Sequence, residues 1–205
     1  MNGLASAAFA ACLLATPSLA ERWRIEGTTL HFDTEFSDSA AGIERADVDT
    51  LRGYLRDNAS IAKVSLNSSG GGLYAALDMA DVLTDFEVDT EIEALCESSC
   101  MYMFLGGATR TMKRGARVGF HRISWSAESI EGYYERNRAD EGWTTPFELS
   151  SWIYEDTQLE TYQIMSFMIR RGVDAAFAVE TFNAGSDDMW APYRQDLLAA
   201  GVLTE

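Results

Sequence analysis

The sequence predicts an α/β fold: a parallel sheet built from repeated strand-helix units with flanking helices. Between residues 45 and 121, short strand-like runs alternate with stretches of helical periodicity. The connections between them are only a few residues long, and a serine-glycine turn marks one of the crossings. That alternation is the pattern of parallel strands joined by crossover helices.

The elements follow in chain order. The first twenty residues, MNGLASAAFAACLLATPSLA, carry no charged side chain, and small residues at Ser18 and Ala20 stand where a signal peptidase reads. The segment is expected to be a secretory signal, too short to remain in a bilayer. Residues 21–205 then form one domain in a periplasmic or secreted protein. Trp23–Phe36 alternates as two strands about the turn Glu26-Gly27-Thr28. Arg45–Asp57 places Val48, Leu51 and Leu55 at helical spacing. Ala62–Leu66 reads as a strand, Ser68–Gly72 as a turn, and Ala76, Met79, Leu83 and Phe86 as one helix face. Val88–Ala94 is a strand and Ser98–Leu105 an apolar helix. Arg117–Phe120 is a strand that ends at His121. Residues 122–147 show no period. Phe147–Arg171 is a long helix with Leu159, Tyr162, Met165 and Ile169 on one side, and helices near Val173–Phe182 and Tyr193–Ala200 close the chain.

The formal net charge is −16. Nucleic acid is excluded as a partner, because phosphate binding requires clustered cations. Cys96 and Cys100 are the two cysteines outside the signal, and the only histidines are His31 and His121. A structural metal site lacks ligands, and no cofactor motif is present. In an oxidising compartment an even pair of cysteines points to a disulfide, and a spacing of four at a helix start allows one.

Three stretches carry chemistry. SLNSSGGG (65–72) runs from a strand through glycines into a helix, which turns backbone N–H groups toward open space. In ALCESSC (94–100), Ser98 and Ser99 precede an apolar helix, where a hydroxyl is either a helix cap or a nucleophile beside free N–H groups. VGFH (118–121) delivers His121 to the end of a strand.

Their order and spacing resemble the Clp-protease/crotonase superfamily, and its exported branch more narrowly. The Clp-type pattern of N-S-P-G-G, a small-residue serine at a helix start and R-V-x-I-H is matched by Asn67–Gly71, Glu97–Ser99 and Arg117–His121. The resemblance implies Ser98 as nucleophile, with Ser99 as the alternative, and His121 as general base. It implies the Gly70 and Ser99 N–H groups as oxyanion hole, and Asp187 or Asp188 as the acid that orients the imidazole. It implies a peptide or acyl substrate and a homo-oligomer, with contacts expected at Trp125, Tyr133, Tyr134 and Trp143. Ser69 stands where the family has proline, which would loosen the oxyanion loop. Export leaves no place for an ATP-driven partner. The reading is an ATP-independent serine peptidase or acyl hydrolase. Its rivals are a non-catalytic binding or assembly protein of the same fold, and an acyl-thioester enzyme, against which export argues.

Overall fold

Strands β1 (Trp23–Glu26) and β2 (Thr29–Asp33) open the computed structural model as an antiparallel hairpin around Gly27. The structure describes residues 22–37 and 41–205, so the expected signal segment lies outside the described residues. The chain continues through α1 (Arg45–Asp57), β3 (Lys63–Ser68), α2 (Leu73–Asp85), β4 (Asp89–Glu97) and α3 (Cys100–Leu105). Two short strands, β5 (Arg110–Met112) and β6 (Arg117–Gly119), precede α4 (Ala127–Asn137), α5 (Pro146–Arg170), α6 (Ala175–Glu180) and α7 (Arg194–Ala199).

The sheet order is β1-β2-β3-β4-β5, and β6 also pairs with β4. All pairings but β1–β2 are parallel. The expected parallel sheet therefore acquires one antiparallel edge, because the tight turn at Gly27 leaves no room for a crossover. β5 and β6 lie end to end along one side of β4, paired with residues 90–92 and 95–97 in turn.

One face of the sheet, with Leu30, Phe32, Val64, Leu66 and Ile92, is sealed by Leu51 of α1, Met79 and Leu83 of α2, and Met101 and Phe104 of α3. Ten of these side chains are wholly inaccessible to solvent, and burial on that scale is the main term favouring the fold. The core also encloses Arg110, whose guanidinium donates to the carbonyls of Val202, Gly107, Arg171 and Gly201. Arg171 donates to those of Leu105, Gly106 and Gly107, covering the carboxyl end of α3.

Three expectations are corrected. Residues 122–147 contain α4, started by Ser126, whose side chain accepts from the Ser129 N–H. Gly132 in its middle and a short apolar face hide the helical period. On α5 the buried side is Ile164, Phe167 and Met168, while Leu159, Tyr162 and Ile169 are exposed. Phe86 likewise falls outside its helix, as the cap of α2, and is half-exposed. Of the aromatic side chains expected at oligomer contacts, Tyr133 stacks on Trp152 at 5.7 Å and meets Trp125 edge-on, Tyr134 is buried, and Trp125 keeps an exposed face. Among the described residues no helix is long and apolar enough to cross a membrane.

Candidate active site

β3, β4 and β6 run parallel, so their carboxyl ends open on one edge of the sheet, the place where α/β folds bind ligands. Each end delivers one part of the site. β3 leads into Ser69-Gly70-Gly71, β4 turns through Ser98 and Ser99 into α3, and β6 stops two residues before His121.

Ser98 adopts a left-handed backbone, with φ of 54°. For a residue with a Cβ that conformation costs about 1–3 kcal/mol and persists only where the surroundings impose it. Here they do. The Ser98 N–H donates to the Gly119 carbonyl at 2.9 Å, tying the end of β4 to β6. Cys96 and Cys100 are joined by a disulfide across the same turn, with Cα atoms 5.3 Å apart. The serine side chain is thereby thrust out at a sharp strand-to-helix turn, the geometry that exposes a nucleophile.

His121 Nε2 lies 2.7 Å from Ser98 Oγ, and Nδ1 lies 2.9 Å from the Arg122 carbonyl oxygen. A carbonyl can only accept, so Nδ1 carries the proton and Nε2 presents its lone pair to the serine hydroxyl. This is the tautomer that a general base requires.

Neither Asp187 nor Asp188 reaches the imidazole. The Asp188 carboxylate accepts from the Met189 N–H at 2.8 Å, and Asp187 lies beside Gly185. That segment is spent on backbone pairing: Arg122 N–H donates to Ala184, and Phe120 and Trp190 exchange two hydrogen bonds. Fixing the main chains this way leaves both carboxylates in the 185–188 turn, off the ring. Arg122 is thus a site residue that sequence reasoning missed, and no signal could have found it, since every residue has a carbonyl.

Gly70 abuts the serine turn. With φ of 103°, a Cβ on it would stand 2.9 Å from Ser98 Cβ and 3.1 Å from Ser99 N, so only glycine fits. Its N–H donates to Ser68 Oγ at 3.1 Å, while the Ser99 and Gly71 N–H groups meet no acceptor among the described residues. Ser69 does not loosen this loop. Its N–H donates to Glu35 Oε1 at 2.8 Å, a bond that proline could not make. The Ser99 hydroxyl is buried without a partner.

The cleft around Ser98 and His121 has a volume of about 160 Å³ and is walled by Leu73, Tyr102 and Ile123. Burial, and secondarily the Glu160 carboxylate, raise the Tyr102 hydroxyl above its ordinary range. Burial likewise raises Glu160 itself. Among the described residues no group of three or more His, Cys, Asp or Glu is arranged to hold a metal.

No protein-family model and no curated protein sequence matches the chain. Solved structures do. A mutant of ClpP1 from Listeria monocytogenes superposes with a TM-score of 0.57 at 11% identity, over 87% of this chain and 90% of that one. A mutant of the 1510-N membrane-bound stomatin-specific protease, in complex with a substrate peptide, gives 0.51 at 16% identity, over 80% of this chain and 69% of that one. A second mutant of that protease gives 0.50 at 16% identity, over 78% and 72%. At such identities the likeness establishes the fold, which is that of the Clp-type proteases.

Proposed function

We propose that this chain is an exported, ATP-independent serine peptidase or related acyl hydrolase. The observation that carries the reading is the 2.7 Å contact between His121 Nε2 and Ser98 Oγ, with Nδ1 held as donor by the Arg122 carbonyl. Ser98 attacks a peptide or ester carbonyl while Nε2 takes its proton, and the imidazolium then protonates the leaving group. The N–H groups of Ser99 and Gly70 stabilise the oxyanion, with Ser68 Oγ releasing the latter as substrate enters. The Arg122 carbonyl keeps the imidazole in register, in place of a carboxylate.

Residues 1–20 direct export, and a periplasmic or secreted location suits the Cys96–Cys100 bond. The chain works as a homo-oligomer, for which the exposed Phe147, Tyr154 and Tyr162 of α5 supply apolar surface. A second reading, a non-catalytic binding or assembly protein, is favoured by one observation: among the described residues no carboxylate touches His121.

Covalent labelling by a fluorophosphonate probe, mapped by mass spectrometry, separates the two. Label on Ser98, lost in His121→Ala, is the expected result. Label on Ser99 reverses the serine roles, and a folded protein that takes no label is the non-catalytic module.

A further inference from the structure

A second and larger cleft, of about 640 Å³, lies between the end of β4, the β5–β6 connection and residues 189–194. It shares no lining residue with the Ser98 cleft. Glu97 marks the relation between them: side chains alternate across a strand, so Glu97 faces away from Cys96 and α3. The volume falls within the range of small-ligand sites.

Its charge is at odds with the rest of the molecule. The chain has 16 Lys and Arg against 32 Asp and Glu, yet Lys113, Arg114, Arg117 and Arg194 all line this one cleft. Several arginines elsewhere pair with carboxylates, as Arg22 does with Asp47, Arg52 with Asp49 and Arg138 with Glu135, and Arg110 and Arg171 are taken up by backbone carbonyls. Lys113 is engaged by Glu93, and Arg194 donates to the carbonyls of Met112 and Glu205. Arg114 and Arg117 meet no acceptor among the described residues. In so acidic a protein, two unpaired guanidiniums on one cleft are free for a ligand.

We propose that this cleft binds a peptide through a carboxylate, which Arg114 and Arg117 hold. Three features of the lining select that chemistry. Guanidinium groups match a carboxylate in planar, paired hydrogen bonds. Met112, Val118, Met189 and Pro192 give the walls an apolar surface for the side chain next to it. Glu97 adds a carboxylate that repels a compact dianion such as phosphate and accepts from a peptide N–H. The carboxylate is either an acidic side chain or a chain end, and peptides distinguish the two.

Calorimetric titration of the full chain carrying Ser98→Ala, which prevents turnover, tests the site independently of the proposed chemistry. One ligand is an N-acetylated, C-amidated pentapeptide alternating glutamate and leucine. Its glutamine counterpart and an N-acetylated Gly-Leu-Leu with a free carboxyl end complete the set. Tight binding of the glutamate peptide assigns an acidic side chain, and of the free-ended peptide a chain end. The glutamine peptide should bind at least about tenfold more weakly than the tighter of the other two. Arg114→Ala and Arg117→Ala should each cost about tenfold in affinity, and raised salt should weaken binding further. Both arginines are exposed, so the variants should keep the parent circular dichroism. Equal binding of the glutamine peptide, unchanged affinity in the double arginine variant, or no binding at millimolar peptide would each overturn the proposal. So would displacement of the peptide by micromolar inorganic phosphate.

Discussion

His121 Nε2 and Ser98 Oγ, 23 residues apart in the chain, stand 2.7 Å from one another at the ends of β6 and β4. The contact is framed by backbone: Ser98 N–H is bonded to Gly119, and the ring by Nδ1 to Arg122. A hydroxyl and a base that share one proton act as a unit, so their losses do not add. Ser98→Ala, His121→Ala and the double variant should fall to nearly the same residual rate of peptide or ester hydrolysis, about 10³-fold or more below the parent. Ser99→Ala keeps the backbone N–H and should cost less than about tenfold. A double variant far slower than either single one would show that the two act separately.

The ring's partner makes a second prediction. Where a carboxylate orients the histidine, its removal typically costs about 10⁴-fold in turnover. Here Asp188 is bonded to Met189 N–H and Asp187 is off the ring. Asp187→Ala and Asp188→Ala should each lower kcat less than about tenfold. A loss of several orders of magnitude in either would mean that a carboxylate reaches Nδ1 during catalysis and replaces the Arg122 carbonyl.

The site was legible in the sequence to the extent that its chemistry lives in side chains at strand ends. Ser98, His121 and Gly70 converge because parallel strands put their carboxyl ends on one edge, and strand-helix alternation announces parallel strands. The acid did not follow from the sequence. The family pattern puts it near the C-terminus ahead of a short helix and a glycine, at Asp187 or Asp188, whereas the backbone bridge between Phe120 and Trp190 decides where that segment lies. The buried face of α5 departs from its sequence pattern for a related reason. That helix is apolar on more than one side, and only its tertiary partners select Ile164, Phe167 and Met168 over Leu159 and Tyr162.

The disulfide should matter more to turnover than to stability. Cys96 and Cys100 close a loop of only a few residues, so the chain-entropy contribution is about 2 kcal/mol. The same bond restrains Ser98 in its left-handed conformation, which a serine leaves readily when released. Replacing both cysteines by alanine should lower Tm by about 4–8 °C. It should also reduce kcat by about tenfold or more, with KM little changed, since the hydroxyl then spends most of its time off the productive position. Unchanged kcat in the double variant would show that hydrogen bonding alone holds the turn.

The face of the sheet opposite the helical core carries an acid-sensitive network. Glu93 on β4 accepts from Lys113 at 2.9 Å, His31 Nδ1 at 2.8 Å and Ser65 Oγ at 3.0 Å. Burial would raise its pKa, but those three bonds outweigh it and hold the carboxyl down to about 2, against an ordinary value of 4.5. A carboxyl whose pKa is lower in the folded chain contributes its full stability above the unfolded value. The contribution is lost as pH falls through the folded one. Stability should therefore decline between about pH 5 and pH 2 by an amount that depends on Glu93. Each pKa unit is worth about 1.4 kcal/mol, and solvent screening at a side chain one third exposed reduces the total to about 1–2 kcal/mol. Urea midpoints measured from pH 7 to pH 3 should fall less steeply in Glu93→Gln than in the parent, while the two curves converge at the acid end. Parallel curves across that range would place the acid sensitivity in other carboxylates.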